Sequence, residues 1–173
     1  VDPEQHNLTL LHKNVAHNFT NKPTPRFRVL EAGVACSSGK MPLYLCNGDY
    51  NKYRHSMYLQ KNRASVSVPV IAFAKLLQER VGKHTINAVK MDIEGMEIEL
   101  LEKCVDRQTF ANVRKLVFEY TFDVDPSIPR FMRIINTLRK FFAVVHFTRV
   151  NPNEKEYRYY PPCTTVYCVR NTS

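Results

Sequence analysis

The pattern of apolar and polar positions predicts helices and strands in alternation. Pro3 suits the first turn of a helix, and Leu8, Leu11 and Val15 then recur at helical spacing. Asn18 to Pro25 is a turn-rich break. Phe27 to Val34 reads as a short strand, ended by Gly33 and the Ser37-Ser38-Gly39 turn. Met41 to Cys46 is expected as one strand of a hairpin or side ribbon, and Asn47 to Arg63 as a long polar and aromatic loop of the kind that often carries function. Ser and Val alternate from Ser65 to Val70, the mark of a half-buried strand. Ala72 to Arg80 is an amphipathic helix closed by Gly82. Ile86 to Asp92 is a strand, Gly95 to Cys104 a helix, Val113 to Phe122 a strand and Ile128 to Lys140 an amphipathic helix. Phe141 to Thr148 and Thr164 to Arg170 are the last strands.

Strand and helix alternating through short connections predict an α/β sandwich with a mainly parallel sheet. The last two strands have no helix between them and read as an antiparallel hairpin at one edge. One strand breaks the hydrophobic rule. Lys90, Asp92 and Glu94 stand at alternate positions where a strand covered on both faces is apolar. Buried charges cost several kcal/mol unless they are paired or open into a polar site. The carboxyl end of a strand leading into a helix is where open α/β sheets bind ligands. Ala88 to Lys103 is therefore the candidate floor of an active site.

Composition narrows the picture modestly. A chain of 173 residues, 44% hydrophobic and 24% charged, is expected to form one domain over residues 1–173. No run approaches the roughly 18 apolar residues of a membrane helix, and no signal peptide is visible. The net charge of +9 points to an acidic partner or substrate. Between Asn51 and Gln78 lie Lys52, Arg54, Lys61, Arg63 and Lys75 with no acid, interleaved with Tyr53, His55 and Tyr58. This is either a solvated basic loop or a surface for an anionic acceptor; it carries no specific nucleic-acid motif. Five cysteines without a CxxC pair or zinc spacing predict reduced, buried thiols. Sequons at Asn7, Asn18 and Asn171 argue only weakly for a secretory route, and the compartment stays open.

The strand-to-helix segment has the form Lys-x-Asp-x-Glu-Gly-x-Glu-x-x-x-Leu, carried by Lys90, Asp92, Glu94, Gly95, Glu97 and Leu101. In this it resembles the FkbM-type methyltransferases, S-adenosylmethionine-dependent enzymes with a class I, Rossmann-like fold. VDPEQHNLTLLHKNVAHN is similar to the family's acidic-Pro strand end and following helix, VLEAGVACSSGKMPLYL to its next strand and turn, and LVFEY, with Glu119, to a later strand. VSVPVIAFAKLL matches the strand and helix before the signature, except that Ala74 stands where the family often has Asp. The family's first strand and Gly-rich cofactor loop have no counterpart, so the chain is expected to be the C-terminal three-quarters of a complete domain.

The resemblance implies S-adenosyl-L-methionine as cofactor and a hydroxyl of a sugar, polyketide-like or lipid acceptor as substrate. It makes Asp2 the ligand of the ribose hydroxyls and Gly33, Val34 and Ala35 the adenine pocket. Asp92 or Glu94 becomes the general base, and Lys90, Glu119 and His55 the acceptor-site or polar-cluster candidates. Other readings stand beside these. Asp2 also suits a helix N-terminus, Lys90 can neutralise Asp92 or Glu119, Glu94 can cap the helix, and Glu97 can tie back to the loop. Two carboxylates at unspecific spacing do not make a metal site. A non-catalytic anion-binding or interaction module, or a nucleotide-sugar or dinucleotide enzyme, remains the alternative, because fold does not fix function.

Overall fold

Fifteen residues from Gln5 to Phe19 form α1, the first element of the computed structural model, which describes residues 2–19, 29–45, 55–57, 63–81, 84–106, 108–122, 126–148 and 163–170. The chain divides into two compact units, Val1–Ala72 and Phe73–Ser173. The first holds α1 and three strands, β1 (Gly33–Ala35), β2 (Gly39–Tyr44) and β3 (Ser65–Ala72). The second holds α2 (Phe73–Val81), β4 (Val89–Met91), α3 (Met96–Lys103), β5 (Lys115–Thr121), α4 (Ile128–Leu138), β6 (Val144–Phe147) and β7 (Cys163–Val169).

In the first unit the strand order is β1-β3-β2, with β1 parallel and β2 antiparallel to β3. The side ribbon expected from Met41 is therefore present, as β2. The strand expected over Phe27 to Val34 is confined to Gly33–Ala35 within the described residues. The reason lies in its pairing: Gly33 is the first residue in register with β3, opposite Val70, whereas the Leu30 carbonyl accepts the Asp2 amide at 3.2 Å. Glu4 starts α1. Its carbonyl accepts the Leu8 amide, and its carboxylate accepts the Asn7 amide at 2.6 Å.

The second unit has the order β4-β5-β7-β6. Only β4 and β5 are parallel; β7 lies antiparallel to both β5 and β6. The expected edge pair is thus present with β6 outermost, but the expected mainly parallel sheet is, among the described residues, two mixed sheets. The strand expected over Ile86 to Asp92 shortens to three residues, because Ile86 makes only an isolated bridge to Val113 before exposed Asn87 and Ala88. The start of the strand expected from Phe141 is taken up by the end of α4, where the Phe142 amide bonds to Leu138.

One face of this sheet carries Met91, Leu116, Phe118, Tyr120, Val166 and Cys168, all buried. Helices α3 and α4 pack together, and α3 packs on β5. They supply Ile98, Leu101, Phe131, Ile134, Ile135 and Leu138 to the same core. Phe131 meets Tyr120, Phe122 and Phe147 at centroid separations of 4.9, 5.4 and 5.4 Å in edge-to-face geometry. Burying one such ring stabilises by roughly 2–3 kcal/mol before the aromatic contacts are added. Helix α4 begins at Ser127, whose hydroxyl accepts the Arg130 amide at 3.3 Å, with Pro129 in the first turn where its missing N–H is harmless. Arg130 then forks onto Glu102 of α3 at 2.9 and 2.6 Å.

The cysteine expectation is half corrected. Cys163 and Cys168 form no disulfide, and burial pushes the Cys168 thiol up to about 12, so it is inert. Cys36 and Cys104, by contrast, are disulfide-bonded. Loose spacing along a chain says little about which thiols meet in space. Cys46 lies outside the described residues.

Candidate active site

The signature turn sits at the carboxyl end of β4, next to parallel β5. Lys90 is opposite Val117 and Met91 opposite Phe118, so alternation puts Lys90, Asp92, Val117 and Glu119 on one face and Met91 on the packed face. This explains why charges are tolerated: the strand is covered on the Met91 side, whereas Lys90 and Asp92 are 73% and 48% exposed. Their side chains pair at 3.1 Å. Glu119 is half-buried two residues beyond Val117, across from Thr165 of β7.

After Asp92 the backbone turns sharply. Glu94 has φ 52° and Gly95 φ 105°, two consecutive residues in the left-handed region. Gly95 takes this form readily, while Glu94 carries about 1 kcal/mol of strain. Gly95 is the N-cap of α3 and has no side chain to cap it. Glu97 does the work instead, and both of its carboxyl oxygens lie within 3.1 Å of the Gly95 amide. The tie-back expected of Glu97 is therefore present. Its side chain is fully buried, and that burial, reinforced by the charges of Glu94 and Asp92, pushes its carboxyl up to about 8 against the pull of the Glu97 and Gly95 amides.

The residues assigned to the cofactor lie in the first unit. Asp2 accepts the Glu4 amide at 2.8 Å and the Asn7 side-chain amide at 3.3 Å, which is helix-start geometry. Gly33, Val34 and Ala35 form β1 and are buried. A Cβ on Gly33 would come within 2.4 Å of the Met57 sulfur, so any larger residue here would make the end of the Met57 side chain shift. His55 precedes Ser56, whose amide pairs with Tyr44 of β2. Burial would raise the Glu4 carboxyl, but the His6 and Asn7 amides and then the charges of His55 and His6 hold it below its usual range. The segment 55–57 thus reaches both the start of α1 and β1. Glu4 was not singled out from the sequence, although Asp-Pro-Glu before a helix was the available signal.

A separate cleft of about 260 Å³ in the second unit is lined by Leu77, Gln78, Ile86, Gln108, Thr109 and Asn112 and includes none of the candidate residues. Among the described residues no three His, Cys, Asp or Glu side chains gather as a metal site would require, and no helix is long and apolar enough to cross a membrane.

No curated protein and no solved structure matches the chain. The sequence does match the Methyltransferase FkbM domain over residues 7–159, a span that contains every signature residue from Lys90 to Leu101. Most of the chain is covered, and the protein belongs to the FkbM methyltransferase family.

Proposed function

We propose that the chain is an S-adenosyl-L-methionine-dependent methyltransferase that methylates a hydroxyl oxygen of a sugar, polyketide-like or lipid acceptor. The observation that carries this reading is the Asp92–Gly95 turn, with two carboxylates at the carboxyl end of a parallel strand, in a chain of the FkbM family. Residues 1–173 act in this reading as a single methyltransferase-like domain of the Rossmann-like, three-layer type.

The cofactor supplies a methyl group already activated on a sulfonium. The chemistry of the residues fits such a group. After its bonds to Glu4 and Asn7, the Asp2 carboxylate retains lone pairs for a vicinal diol. Val34 and Ala35 offer small side chains beside the backbone, and the unbranched, adaptable thioether of Met57 lies over Gly33. Lys90 holds one oxygen of Asp92, which leaves Asp92 to orient and Glu94 to take the acceptor proton. Glu119 and His55 complete the candidates for acceptor contact. Their task is alignment and exclusion of water, worth several kcal/mol without any protein nucleophile. The basic stretch between Asn51 and Gln78 favours an anionic acceptor.

Calorimetry with S-adenosylhomocysteine, in competition with NAD, tests cofactor choice. Labelled-methyl transfer to a panel of hydroxyl acceptors tests the reaction. Asp92→Asn and Glu94→Gln should abolish transfer with folding intact; retained turnover removes their assignment. An absence of binding favours the non-catalytic module.

A further inference from the structure

We propose that Glu97 is a positioning residue: its buried carboxyl group, bonded to the Gly95 amide, holds the Asp92–Gly95 turn in the left-handed form that aims Glu94. The proposal rests on the reading of that turn as the methyl-transfer site.

A helix N-terminus is ordinarily capped by an exposed Ser, Asp or Asn at the N-cap itself. Gly95 occupies that position here, and the acceptor comes from the second helical residue, reaching backwards as one half of a capping box does. An exposed cap side chain would accept from the amide of the second or third helical residue and would leave the Gly95 amide itself to another acceptor. Glu97 is 0% exposed and is flanked by buried Met96 and Ile98. Its oxygens sit at 3.1 and 3.0 Å from one N–H, the amide of the residue that follows strained Glu94. Removing that acceptor leaves a buried amide unsatisfied and frees Glu94 and Gly95 to relax toward ordinary backbone. The direction of the Glu94 side chain changes with φ, so the hold is on aim as well as on stability. The charged groups around Glu97 are Asp92, paired with Lys90, and Glu94. Neither replaces the lost acceptor.

The test compares Glu97→Gln, which keeps a neutral acceptor oxygen, with Glu97→Ala, which removes it. Glu97→Asp, one methylene too short to reach Gly95, stands in for Ala should Ala not fold. Two readouts are taken at a temperature where every variant is folded: amide exchange at Gly95 by NMR, and kcat for labelled-methyl transfer to whichever hydroxyl acceptor of the panel the wild type accepts. In Ala or Asp, Gly95 exchange should quicken by about tenfold or more and kcat fall by a similar factor. The Gln variant should stay within about threefold of wild type on both. Unchanged Gly95 exchange in the Ala or Asp variant overturns the proposal. So does quickened exchange with unaltered kcat, because a purely structural cap moves the melting temperature and not the turnover of the folded protein. Failure of the wild type itself to transfer methyl to any acceptor removes the methyl-transfer reading, and with it the aim of Glu94 toward that chemistry.

Discussion

Glu97→Gln should flatten the pH dependence of folding stability. The carboxyl group titrates near 8 in the folded chain, against 4.5 for the ordinary group, because burial and the neighbouring Glu94 and Asp92 charges disfavour its ionised form. The folded state therefore holds this proton more tightly than the unfolded state does. The resulting stabilisation is fully present below about pH 4.5, is lost as pH rises through about 8, and changes no further above that. Each pH unit inside the window is worth about 1.4 kcal/mol, so between pH 5.5 and 8.5 the wild type should lose about 3 kcal/mol relative to the Gln variant. Urea unfolding of both proteins at pH 5.5, 7.0 and 8.5 measures this difference, and any constant offset from the amide cancels. A difference that stays constant within about 0.5 kcal/mol across that range would show that Glu97 titrates as an exposed carboxylate does, and the account of the turn would fall with it.

Other substitutions test other links. The Lys90–Asp92 pair is largely exposed, so Lys90→Met should change stability by less than about 1 kcal/mol in chemical denaturation. A larger loss would make the pair structural. Ser127→Ala removes the N-cap of α4 and should cost about 1 kcal/mol, read as a lower melting temperature. Gly33→Ala drives a methyl into Met57 and should cost about 1–3 kcal/mol, falling below about 0.5 kcal/mol in a Met57→Ala background; an additive cycle would deny the contact. Alkylation of the denatured, non-reduced chain should label Cys163 and Cys168, with Cys36 and Cys104 reacting only after reduction.

The sequence disclosed the parts of the structure governed by local rules. Lys90, Asp92 and Glu94 stood out because a covered strand does not carry three charges at alternate positions, and the structure places Lys90 and Asp92 on the open face of β4. Helix α4 was legible from its amphipathic period, whereas its cap on Ser127 was not read. What could not be read depends on partners distant in the chain. Nothing in Cys163–Val169 says that it lies between β5 and β6, and nothing between Phe27 and Val34 says that pairing with β3 begins at Gly33. Met57 over Gly33 and the oxidation of Cys36 and Cys104 are likewise three-dimensional facts. The tie from Glu97 to Gly95 was foreseeable at a separation of two residues, but its complete burial, which changes its chemistry, was not.

The left-handed backbone of Glu94 bears on how the protein would respond to laboratory evolution. Asn and Gly accept that conformation more readily than Glu does, so a library at this position screened only for thermal resistance should drift toward them. A parallel screen for methyl transfer should return Glu. Divergence between the two enriched pools would mark this position as one where stability and activity are in conflict, with no acceptor structure needed to see it.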